Sequence, residues 1–122
     1  MRLLELPGVD PHHGVEEAEG PLAQRLRGLG SGLQLLKTEL GEAWRRTSVL
    51  VVTEFGRTVA ANGTRGTDHG TGGCAFLLGG AVAGGRVVAD WPGLAARDLH
   101  ENRDLRATTD VRALFKSVLH VP

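Results

Sequence analysis

The chain has 122 residues, which fits one domain on the usual scale of roughly 100–200 residues. Lys+Arg and Asp+Glu number 14 each, and a net charge of zero excludes bulk electrostatic capture of nucleic acid or of an anionic membrane surface. One cysteine excludes an intrachain disulfide and a cysteine-based zinc cluster, and no apolar run approaches the ~18 residues of a membrane span.

Residues 2–6 form a short, partly apolar run that predicts a strand. Glu5 and Pro7 interrupt any signal-peptide core, so residues 1–7 are not expected to act as a signal peptide. The run ends in P-G-V-D-P-H-H-G at positions 7–14, a loop holding Asp10, His12 and His13. A D-x-H-H cluster behind a strand can supply oxygen and imidazole ligands to a divalent cation, or it is a solvated polar loop.

Residues 21–44 predict the main helix. Leu22, Leu26, Leu29, Leu33, Leu36, Leu40 and Ala43 recur in steps of four and three, which draws one apolar stripe. Pro21 suits the first helical position. Gly28, Gly30 and Gly32 weaken the middle by about 1 kcal/mol each relative to alanine. Arg45 and Arg46 complement the negative end of a helix dipole.

Residues 49–52 and 74–78 are short apolar runs bounded by glycines, read as buried strands, with Cys74 a buried small hydrophobe. Strand 2–6, helix 21–44 and strand 49–52 follow the order of a βαβ crossover, which implies a parallel pairing of those strands. Residues 86–89 predict a short exposed strand, and residues 105–107 a further short strand. Residues 90–94 predict a turn with Trp91 half-buried. Thr108, Thr109 and Asp110 cap a last helix carrying Val111, Leu114, Phe115, Val118 and Leu119. No repeat or linker divides the chain, so a single domain over 1–122 is expected.

The chemistry concentrates between the two central strands. The first ends in T-E-F-G-R at 53–57, and the following loop delivers T-D-H-G at 67–70. Strand-end loops are where α/β sheets carry their sites. Glu54, Asp68 and His69 offer a mixed oxygen and nitrogen donor set that suits zinc, manganese, magnesium or calcium alike. Arg57 offers a planar fork to a tetrahedral anion, or an internal ion pair to Glu54 or Asp68. Asn62-Gly63 reads as a turn.

With E-F-G-R-T at 54–58, N-G at 62–63 and G-T-D-H-G at 66–70, the chain resembles the bacterial proteins grouped as domain of unknown function fifteen-oh-one. These are similar to the alkaline phosphatase and sulfatase superfamily. D-W-P-G-L at 90–94 and T-T-D at 108–110 also fit, and G-V-D-P-H at 8–12 resembles the family's G-W-D-T-H segment with Val9 and Pro11 as departures. The resemblance implies the C-terminal portion of a three-layer α/β/α sandwich with a mostly parallel sheet. It implies a metal-dependent hydrolase of phosphate or sulfate esters acting on a small anionic ester. Asp10 and His12 match its first ligand pair, Glu54 stands where the next set begins, and His69 with Asp68 beside it matches the last histidine. Glu54-Phe55 replaces the superfamily's usual Asp-His. Thr53, Thr67 and Thr71 do not match the superfamily's nucleophile, which lies on strands ahead of the matching region. An alternative is a non-catalytic fragment or interaction module that associates through an open sheet edge. Full-length relatives often look exported.

Overall fold

A computed structural model describes residues 19–119. Predictions placed on residues 2–14, including the first strand and the loop with Asp10, His12 and His13, lie outside the described residues. The chain divides into two compact units, residues 1–39 with 60–68, and residues 40–59 with 69–122. Helices and small sheets are both present, so the chain is a mixed α and β protein.

In the first unit, helix α1 spans Pro21–Leu40. The expected stripe is its less exposed side: Leu22, Leu29, Leu33, Leu36 and Leu40 are half-buried. Leu26 departs from the stripe at 55% exposure. Arg27 Nη2 lies 2.9 Å from the Glu19 carboxylate, which holds an acidic group near the positive end of the helix. Among the described residues, nothing lies within 4 Å of where an added methyl would sit at glycines 28, 30 and 32. They are a conformational cost without a packing return in this part of the fold.

The helix ends at Gly41, whose φ of +48° suits a residue without a Cβ, and Gly41–Arg46 tightens into a 3-10 turn. Arg45 and Arg46 occupy the last turn as expected, and Arg45 Nε lies 3.4 Å from Glu42.

The second unit contains two antiparallel ladders. Strand β1, Ser48–Val51, pairs with β4, Phe76–Gly79, with Ser48 opposite Gly79 and Val51 opposite Phe76. Strand β2, Gly56–Arg57, pairs with β3, His69–Gly70. The expectation of a mostly parallel sheet is therefore corrected: both described sheets are two-stranded and antiparallel. A parallel return needs a crossover segment, usually a helix. Residues 52–75 cannot supply one, because glycines at 56, 63, 66, 70, 72 and 73 break helix formation, and the segment folds back as the β2–β3 ladder instead.

Other readings also change. Residues 86–89 and 105–107 form no strand. Val87 and Val88 are 93% and 86% exposed, and Trp91 is 61% exposed rather than half-buried. Cys74 is exposed, because β4 begins two residues after it. The last helix forms as read: α2 spans Val111–Leu119, and the Asp110 carboxylate accepts the backbone N–H of Arg112 at 2.9 Å.

The buried residues of the second unit sit behind β2. Thr58, Leu99 and Asp104 are each under a tenth exposed. Thr58 and His100 both bridge to Asp104, and Val59 N–H donates to the Arg103 carbonyl at 3.1 Å. Arg103 Nη2 donates to Asp104 Oδ2 at 3.3 Å; Nε lies 2.9 Å from Oδ1 without hydrogen-bond alignment, so charge holds that contact. Arg106 donates to the carbonyls of Asp98 and Leu99, both at 3.1 Å, and closes the 98–106 loop.

Two predictions follow from this packing. A methyl at Gly56 would meet the Gly72 carbonyl oxygen at 1.7 Å, whereas one at Gly30 meets nothing within 4 Å among the described residues. Gly56→Ala should therefore cost about 1–3 kcal/mol, and Gly30→Ala should add about 0.5–1 kcal/mol, both read by urea denaturation. For α2, the Arg112 side chain and then its backbone N–H hold the Asp110 carboxyl down to about 2 from 3.8. A carboxyl lowered in the folded state contributes in full above its ordinary value and loses that contribution as pH falls through the lowered one. Amide protection at the start of α2 should thus fall between pH 3.8 and about 2, and Asp110→Asn should abolish that dependence.

Candidate functional site

The β2–β3 ladder holds two of the four described candidates, Arg57 and His69, and the pattern of its residues explains how. Side chains alternate across a strand. Phe55 and Arg57 therefore share one face, and Arg57 stands opposite His69 in the ladder. Gly56 and Gly70, also opposite one another, share the other face.

That glycine face is a backbone contact surface. A Cβ at Gly56 would collide with Gly72, one at Gly70 would lie 2.6 Å from the Arg57 carbonyl carbon, and one at Gly72 would lie 2.3 Å from the Leu105 oxygen. Arg57 N–H donates to the Gly72 carbonyl at 3.3 Å, and Thr71 Oγ1 donates to the Leu105 carbonyl at 3.2 Å. The absence of side chains lets three backbone segments stack, and the opposite face of the ladder is thereby fixed from behind.

On that opposite face, the Phe55 and His69 rings stack with centroids 4.0 Å apart and planes inclined by 28°. The Arg57 guanidinium carbon lies 5.6 Å from the Phe55 centroid, within cation–π range. Thr53 Oγ1 donates to the Phe55 carbonyl at 2.7 Å, which tightens the turn out of β1 around Glu54. Glu54 and His69 are exposed, and Arg57 is half-buried.

Asp68 closes the first unit's loop, residues 60–68. Asn62 organises that loop. Its Oδ1 accepts the backbone N–H of Thr64 at 3.0 Å and of Gly66 at 2.9 Å, and Asn62 N–H donates to the Gly66 carbonyl at 2.8 Å. The expected turn at Asn62-Gly63 is thus present, with Arg65 at a φ of +58°. Asn62 Nδ2 donates to Asp68 Oδ1 at 3.0 Å, which fixes one oxygen of the carboxylate.

The structure brings together Phe55, Arg57 and His69, with Glu54 next to them in the chain. Asp68 precedes His69 directly but belongs to the other unit, and Asp10 and His12 lie outside the described residues. Among the described residues no group of three or more His, Cys, Asp or Glu could hold a metal ion. Glu54, Asp68 and His69 are each of a residue type that can ligate a divalent cation. Phe55, not among the candidates marked from sequence, also lies on this face. Its signal was an aromatic two positions before an arginine on a strand, hence on the same face.

The family model described as a protein of unknown function (DUF1501) matches residues 3–122, so the chain belongs to that family. No curated protein and no solved structure matches it. Among the described residues no helix is long and apolar enough to cross a membrane.

Proposed function

We propose that the chain is the C-terminal portion of a sulfatase-like, alkaline-phosphatase-type domain that hydrolyses phosphate or sulfate esters with a divalent metal. The observation that carries the reading is the ladder pairing of Arg57 with His69, which sets an anion-binding fork beside an imidazole donor on one face. Glu54 and His69 would be donors to the cation from the second unit, and Asp68, Asp10 and His12 are the other donors that the family resemblance implies. Bound there, a divalent cation supplies Lewis acidity toward an ester oxygen. Arg57 orients the tetrahedral anion by a two-pronged contact, and the Asn62 amide keeps the Asp68 carboxylate directed. The superfamily's nucleophile has no counterpart among these residues, so binding without turnover is the behaviour proposed for this chain alone. An antiparallel pair such as β1–β4 is compatible with a larger mixed sheet, which often carries an antiparallel edge.

A second reading, an interaction module of the same fold, is favoured by the exposure of Val87, Val88 and Trp91. It makes self-association or heterologous association the chain's main property.

The two readings separate by experiment. Under the first, Mn²⁺ added to the isotopically labelled chain broadens residues 10, 12, 54, 68 and 69 together and saturably, as ligands within ~10 Å of one ion must. Glu54→Gln weakens Zn²⁺ binding by about 10-fold or more in calorimetry. Broadening that never saturates, or that centres on carboxylates elsewhere such as Asp110, removes the metal reading. Under the second, the mass in native mass spectrometry rises with concentration, and Val88→Asp with Trp91→Ser restores a monomer. A monomer at every concentration tested removes it.

A further inference from the structure

We infer that β1 pairs through its open edge with β1 of a second copy of this chain, antiparallel, with Leu50 opposite its own copy. The inference deepens the association reading and rests on it: the exposed residues at 87–91 supply apolar area, and the strand edge supplies direction and register. Among the described residues β1 pairs with β4 alone, so one side of the strand offers its backbone N–H and C=O groups to a further strand. A two-stranded ladder is marginal by itself, and three or more strands make a stable sheet. Residues 49–52 are all apolar, and no charge or proline lies between Ser48 and Val52 to guard the edge. Phe76 and Leu77 on β4 are 57% and 38% exposed, so the existing pair leaves apolar surface uncovered.

Symmetry restricts the register. A two-fold antiparallel pair of identical strands sets one residue opposite its own copy. With Val49 on the axis, Arg46 faces Val52 and Ser48 faces Leu50. With Val51 on the axis, Ser48 faces Glu54. With Leu50 on the axis, Val49 meets Val51, Thr47 meets Thr53, and Arg46 at one end meets Glu54 at the other. The two-fold repeats each pair, so opposite charges close both ends of the contact. Arg46 ends the 3-10 turn, Thr47 is extended at φ −107° and ψ 133°, and Glu54 lies in the bend after β1. Arg46 and Glu54 are both exposed. A net charge of zero puts no general repulsion between copies.

The test reads dimer dissociation of the full chain, without metal, by native mass spectrometry and sedimentation. Arg46→Glu and Glu54→Arg alone are each expected to weaken the dimer by roughly 5- to 30-fold, because each turns two attractions into repulsions. The two together swap the charges and are expected to return the dimer to within about 3-fold of the parent. In a Cys74→Ser background with diamide as oxidant, Leu50→Cys is expected to cross-link to its copy, since directly opposite Cβ atoms lie about 4.5–5.5 Å apart. Ser48→Cys is expected to stay reduced, because its copy sits four residues along, about 13 Å away. If the charge reversals leave the dimer unchanged while Val88→Asp with Trp91→Ser removes it, the association reading stands and the strand-edge contact is overturned. Equal cross-linking at positions 48 and 50 overturns the register and the contact with it. A monomer at every concentration, as when another segment of the same chain fills the edge, overturns both.

Discussion

The second unit depends on a contact between backbones. Gly56 presents its bare Cα to the Gly72 carbonyl, and Gly72 in turn meets the Leu105 carbonyl, so three segments approach more closely than any side chain permits. The stack replaces a conventional core. Leu99 is the one buried large hydrophobe among the described residues, and no fully buried bulky side chain lies among them. Stability there comes from hydrogen bonds threaded through a close backbone contact, with Asp104 as the buried polar anchor.

That construction explains the division of labour across the β2–β3 ladder. One face is stripped of side chains so that it can be pinned. The other is left with Phe55, Arg57 and His69. A two-residue ladder alone could not hold a site, because short strands gain little from their own pairing. Backing by the 71–72 and 103–106 segments supplies the missing rigidity. The Asn62 turn performs a related task for Asp68, spending one amide side chain on the loop's backbone and on the carboxylate. Sites are best carried on supported elements, and here the support is mostly main chain.

The exposed apolar residues belong to the same picture. Val87, Val88 and Trp91 occupy a stretch that reads as a strand and a turn in sequence, yet among the described residues no strand pairs with it. β-branched propensity states only that a residue fits a half-buried pleated surface. Without a neighbouring strand in register, the propensity goes unspent.

The sequence by itself determined the local features. The leucine spacing set α1, Asp110 set the start of α2, the apolar runs set β1 and β4 to within two residues, and Asn62-Gly63 set its turn. Each follows from interactions within a few residues, which a linear pattern records. It also marked Glu54, Arg57, Asp68 and His69 as chemically apt, and placed the chain in its family. Only the tertiary structure decided that the described strands pair antiparallel, that Cys74 and Trp91 face solvent, and that Phe55 stacks on His69. Strand direction, burial and cross-strand contact depend on partners distant in the chain, and glycines that look like loop punctuation become, on folding, the surfaces where those partners meet.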